Sequence, residues 1–165
     1  MRKLMVVLGI ISAVTILTCG TALVYSSHLK ATEPPTVVTT LNADTIFNLV
    51  NNERTKAGLK PLVRDARLDA TAQTRADDMV ARNYFSHYDP IDGHKLINDK
   101  YYIDAWSICS HGSENISMNW PTNAKTVSGW MGSKLHHDAI LKADYTLTGV
   151  AVSGNKVVQH FCVAK

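Results

Sequence analysis

The chain opens with one unbroken apolar stretch and then changes to mixed apolar and polar positions. Leu4 to Ser27 carries no formal charge, and a helix of that length crosses the ~30 Å hydrocarbon core of a bilayer. Arg2 and Lys3 precede it, so the positive-inside rule places the N-terminus in the cytoplasm and everything after Tyr25 outside. Residues 1–30 are therefore expected to be a transmembrane signal anchor. A cleaved signal peptide is the alternative, although its apolar core of ~7–15 residues would be shorter than this stretch. A lipoprotein reading through Cys19 meets Thr18 where a small residue is expected. Residues 31–40, ATEPPTVVTT, hold two prolines and no helical period, as an extended linker does.

From residue 41 the pattern is that of a folded domain reaching Lys165. Ile46, Leu49, Val50 and Ala57 recur at helical spacing after the capping residues Asn42 or Asp44, and Gly58 supplies a stop. A second helix, about Ala66 to Arg82, has a small-residue stripe at Leu68, Ala72, Ala76 and Met79. Its other face, with Asp69, Arg75, Asp77 and Asp78, reads as solvated. Tyr84 to Gly93 is rich in turn formers and places His87 in a loop. A short helix at His94 to Lys100 and an aromatic run at Tyr101 to Trp106 follow. Pro121 then favours a helix start, with Ala124, Val127, Trp130 and Met131 on one side and Ser133 and His136 near its C-terminal end. Leu147 to Val152 and Lys156 to Val163 alternate as strands around Gly154-Asn155, a hairpin turn. Helices that precede strands without alternating with them favour α+β, an antiparallel sheet covered by helices.

Composition adds exclusions. With 165 residues, 45% hydrophobic and 19% charged, the chain can bury one sizeable core. Setting aside Arg2 and Lys3, the 17 basic residues fall to 15 against 14 acidic, and no basic face is visible, which argues against nucleic-acid binding. Cys109 and Cys162 are the two cysteines outside the apolar stretch, in a compartment where disulfides persist, and are expected to pair.

Several motifs stand in a fixed order: Asn51-Asn52-Glu53-Arg54 with Gly58-Leu59-Lys60-Pro61-Leu62, Phe85-Ser86-His87, Ser113-Glu114-Asn115-Ile116, Trp130-Met131-Gly132-Ser133 with His136 and Ile140-Leu141, and Gly149-Val150-Ala151-Val152 with Gln159 and Phe161. Through nearly all of 41–165 the chain resembles the bacterial CAP (SCP-like) domains, the cysteine-rich secretory, antigen 5 and pathogenesis-related group. The resemblance implies an α-β-α sandwich with a surface cleft where two histidines and two acids converge, often around a divalent metal such as zinc. The histidines fall on His87 and His136 and one acid on Glu114. Ser133 occupies the place of the second acid, Ser113 replaces a glycine, and Ala139 stands where an amide is common.

By spacing alone His87, Glu114 and His136 are scattered polar residues without the short ligand spacing of most zinc sites. The resemblance makes His87 and His136 the candidate metal ligands and Glu114 the candidate general base, with any metal held weakly by two firm ligands. His137 could replace His136 by a one-residue slip. His94, His111 and His160 read as ordinary polar or exposed residues, Trp130, Met131 and Phe85 as core, and Glu53 and Arg54 as helix surface. Within the family, the first motif's asparagine and arginine look structural, tying the first helix to neighbouring loops. No GxSxG motif is present, and Ser133 with His136 at i, i+3 is too common a pairing to mark a nucleophile. Two functions are open. One is an exported module binding a lipid, a peptide or a cell-envelope partner. The other is a metal-dependent hydrolase using Glu114. Loss of the second acid favours binding.

Overall fold

The computed structural model describes residues 40–93 and 107–165. The expected anchor and most of the linker, the helix at His94 to Lys100 and the aromatic run at Tyr101 to Trp106 lie outside the described residues. Among the described residues no helix is long and apolar enough to cross a membrane.

Helix α1 (Ala43–Lys56) begins where the Asn42 side chain accepts from the Thr45 N–H at 2.9 Å. It ends at Ala57, before Gly58 with φ +74°, a left-handed value that glycine adopts at little cost. A two-residue strand β1 (Val63–Arg64) follows, then α2 (Ala66–Ala81), capped by Asp65. Strand β2 (Cys109–Met118) precedes α3 (Asn123–Met131), α4 (Lys134–Ile140), β3 (Leu147–Ser153) and β4 (Lys156–Ala164).

The four strands lie in the order β1-β3-β4-β2, with β3–β4 and β4–β2 antiparallel but β1–β3 parallel. The sheet is thus mixed, whereas the sequence pattern suggested an antiparallel one; two residues of β1 are too few to give a readable alternation. Strand β2 was also invisible to pattern, because CSHGSENISM is poor in β-branched and aromatic residues. Pairing with β4 holds it in place, from Cys109↔Ala164 to Met118↔Lys156.

Alternation along the strands assigns two faces. Val150, Val157 and Phe161 pack with Ile46, Val50, Trp130 and Ile140 under α1, α3 and α4. Ala151, Val158 and Ile116 pack with Ala72, Ala76 and Met79 of α2. The second layer is tight: a Cβ at Gly149 would come within 2.1 Å of the Leu68 backbone, so the small-residue stripe brings α2 down onto β3. The expected Cys109–Cys162 disulfide is present and packs with Leu68 on this face.

Two buried charges correct the surface readings. Arg54 is 1% exposed. It continues the Ile46–Val50 stripe by another i+4 step and donates to the carbonyls of Lys60, Ile140, Lys142 and Tyr145. Burial pulls its guanidinium below the usual arginine value, without deprotonating it. Asn51 adds a reciprocal pair of bonds with Leu62, so this motif is a structural tie, as the family resemblance implies. Arg75, placed by pattern on a solvated face, is likewise buried, since position 75 lies between Ala72 and Met79 on the inner side of α2.

Candidate functional site

The site forms around β2. Beyond the register shift at Cys109–His111, even-numbered residues of β2 face α2, so Glu114 enters that side while Asn115 enters the other. The Glu114 side chain is 3% exposed, and both its oxygens are engaged. Oε1 meets His87 Nδ1 at 2.7 Å. Oε2 meets Arg75 Nε at 3.2 Å and His160 Nε2 at 3.2 Å. Burial by itself pushes the Glu114 carboxyl up, but the hydrogen bonds from His160 and His87 and the charges of His160 and Arg75 outweigh it and hold it well below the usual range.

His87 reaches this carboxylate from the loop that leaves α2 at Asn83. The loop is fastened by Arg75, whose Nη1 donates to the Tyr84 hydroxyl at 2.6 Å and whose Nη2 donates to the Ser86 carbonyl. Tyr84 in turn donates to Asp78. Burial and that hydrogen bond push its hydroxyl up to about 12. Arg82 pairs with Asp89 at 2.8 Å and closes the outer end of the loop.

The opposite wall was expected near the end of one helix. Instead Gly132 terminates α3, Ser133 takes extended backbone (φ −109°, ψ 118°), and α4 starts afresh with His136 on it. A serine at that junction suits the N-cap position, but its hydroxyl meets His136 Nδ1 at 2.9 Å and makes no cap bond. Asn115 Nδ2 donates to the His136 carbonyl at 3.1 Å, fixing α4 to β2. Burial, and secondarily the neighbouring His87, pull the His136 imidazole below its ordinary value.

Between the walls lies a cleft of about 410 Å³, lined by His87, Tyr88, Ser113, Glu114, His136 and Ala139, with Leu135 at its rim. The two imidazole centroids are 6.5 Å apart. The Ser113 hydroxyl is buried with no hydrogen-bond partner among the described residues. The structure therefore brings His87, Glu114, Ser133 and His136 together. His137 is half-buried and pairs with Asp138, His111 is exposed beside Lys142 and Asp144, and His94 lies outside the described residues.

Two members of the site were missed. His160, read as ordinary or exposed, is 2% exposed and links Thr71 Oγ1, at 2.9 Å, to Glu114. Its position in the middle of β4, the strand with a neighbour on each side, was the available signal. Arg75 was the other. Phe85, expected in the core, is 40% exposed.

The donors suit a divalent metal only loosely. Among the described residues no group of three or more His, Cys, Asp or Glu is arranged to hold one. With each Nδ1 engaged, Nε2 of His87 and of His136 are the ligand-bearing atoms. A tetrahedral zinc at ordinary Zn–N distances would draw two ring centroids to about 5 Å, closer than they stand.

Helices on both faces of a mixed sheet, with two imidazoles and one buried carboxylate meeting at its β2 edge, define the class. Residues 47–165 match the CAP family, the cysteine-rich secretory protein family, and the chain belongs to it. It is 34% identical over 118 residues to the uncharacterized protein YkwD of Bacillus subtilis (strain 168), covering 70% of this chain and 45% of that protein. It is 32% identical over 125 residues to the uncharacterized membrane protein YlbC of the same organism, covering 75% and 35%. The chain thus spans less than half the length of these curated relatives. Among solved structures, an extracellular protein containing a SCP domain from Bacillus anthracis str. Ames superposes with a TM-score of 0.66 at 27% identity, covering 73% of this chain and 39% of that one. An outer surface protein from Borrelia burgdorferi shares the fold, with a TM-score of 0.64 at 17% identity and coverage of 74% and 92%.

Proposed function

We propose that this chain is an exported, membrane-tethered CAP module that binds a lipid, a peptide or a cell-envelope partner in the His87–His136 cleft, and that it is not an efficient hydrolase. The observation that carries this reading is the state of Glu114. A general base needs a carboxylate oxygen within reach of a water, yet both oxygens of this buried carboxylate are taken by Arg75, His160 and His87. Its chemistry is that of a group that orients an imidazole. The cleft also offers two imidazoles beside the apolar faces of Tyr88, Leu135 and Ala139, which suit recognition of a ligand with one polar and one apolar part. Export is supported by the uncharged Leu4–Ser27 stretch and by relatives described as an extracellular protein and a membrane protein.

A divalent metal in this reading would be held weakly by Nε2 of His87 and His136 and, when bound, would supply a Lewis acid. Calorimetry with zinc tests this. Binding should weaken from pH 7.5 to 5.5, because protons compete with the metal for the ligating ring nitrogens, and should vanish in the His87→Ala, His136→Ala double variant. Unchanged binding in that variant would place the metal elsewhere. Robust peptide hydrolysis abolished by Glu114→Gln would overturn the binding role.

A further inference from the structure

We propose that Arg75 is the positioning residue of the cleft: one guanidinium decides which nitrogen of the His87 ring carries the proton and where that ring stands. The inference takes from the preceding reading only that the His87–His136 pair is the working part of the cleft.

Arg75 gives its donors to three groups on two separate pieces of chain, β2 and the loop after α2. Nε goes to Glu114 Oε2 on β2, Nη1 to the Tyr84 hydroxyl, and Nη2 to the carbonyl of Ser86, the residue before His87. The first contact acts on the carboxylate. Arg75 and His160 meet Oε2, and His87 meets Oε1. An ionised carboxylate only accepts, so the ring nitrogen facing it, Nδ1 at 2.7 Å, must be the protonated one. Nε2 then keeps its lone pair for the cleft. The third contact acts on the backbone, fixing the height of the loop at Ser86 and hence the point from which the His87 ring starts. A lysine would keep the charge but has no fixed fork with which to hold an oxygen, a hydroxyl and a carbonyl at once.

This differs from a purely structural role, under which loss of Arg75 would change stability and leave His87 as it was. Nitrogen-15 NMR of the imidazoles at pH 8, on the full chain in detergent, reads the tautomer directly. Wild-type protein should show His87 as a single tautomer with a protonated Nδ1 and a bare Nε2. In Arg75→Lys, with the fold checked by circular dichroism, that single signature should be replaced by a mixture. Zinc affinity should fall about tenfold or more, the range found when an outer-shell partner of a ligating histidine is removed. A mixed or Nε2-protonated His87 in the wild type overturns the proposal without recourse to any variant. So does a folded Arg75→Lys protein whose His87 is unchanged. A wild type that binds no zinc, with the tautomer still lost in Arg75→Lys, sinks the metal part of the functional reading and supports this inference.

Discussion

Each wall of the cleft is pinned by a buried arginine, and the two arginines are met differently. Arg75, behind the His87 wall, faces a carboxylate, a hydroxyl and a carbonyl. Arg54, behind the His136 wall, meets carbonyls at Lys60, Ile140, Lys142 and Tyr145. The first is a compensated charge whose partner is itself a site residue. The second is a charge dispersed over backbone dipoles at the end of α4. The ring that each wall presents follows suit: His87 bonds to an ion, His136 to a serine hydroxyl. One wall is therefore set electrostatically, while the other is set by chain geometry and keeps a more adaptable ring.

The largest effect that would break this contrast comes from Arg75→Met. It strands the Glu114 carboxylate in the interior and should cost about 4 kcal/mol in urea denaturation, as expected when one partner of a buried pair is removed. Adding Glu114→Gln should recover much of that loss, and a double-mutant cycle without coupling would refute the pairing. The pH dependence follows from the same carboxyl. Its folded value is depressed below the unfolded ~4.3, so its stabilisation is complete above that value and is lost as pH falls beneath it. Glu114→Gln should flatten the acid limb of the stability curve.

Arg54→Met should cost somewhat less, about 3 kcal/mol, because neutral carbonyls are left unmet and some can be rehydrated. Its cost should not change between pH 5 and 8, unlike a change that touches the carboxylate. Ser133→Ala should cost under about 1 kcal/mol, one neutral hydrogen bond, yet it should release the His136 ring into both tautomers by NMR while His87 stays fixed. The smallest effect is titration of His136. Its folded value is lowered, so stability should decline slightly as pH falls below ~6.5, and His136→Gln should remove that slope.

The sequence made the His136 and Glu114 positions legible through motif order, and both helices flanking the first two motifs through their periodicity. What escaped it has a common cause. Arg54, Arg75 and His160 are polar residues at inward positions, and a reading by hydropathy sends every polar side chain to the surface. Their spacing said otherwise: Arg54 is four residues after Val50, and Arg75 lies between Ala72 and Met79 on one helical face. Strand β2 escaped because its stability comes from pairing along β4, which no local propensity reports. The break between α3 and α4 was written in Gly132-Ser133, a stop followed by a cap residue, but the apolar spacing ran on through it.

The Cys109–Cys162 bridge, whose cysteines are 53 positions apart, has a consequence for survival among proteases. A single cut anywhere between the two cysteines leaves one covalent molecule, with Glu114, His136 and His160 still joined through sulfur. His87 lies upstream of that closed loop. A cut between His87 and Cys109 would separate it, together with Arg75, from Glu114, His136 and His160, leaving only non-covalent contacts such as that of Arg75 with Glu114 to hold the two walls together.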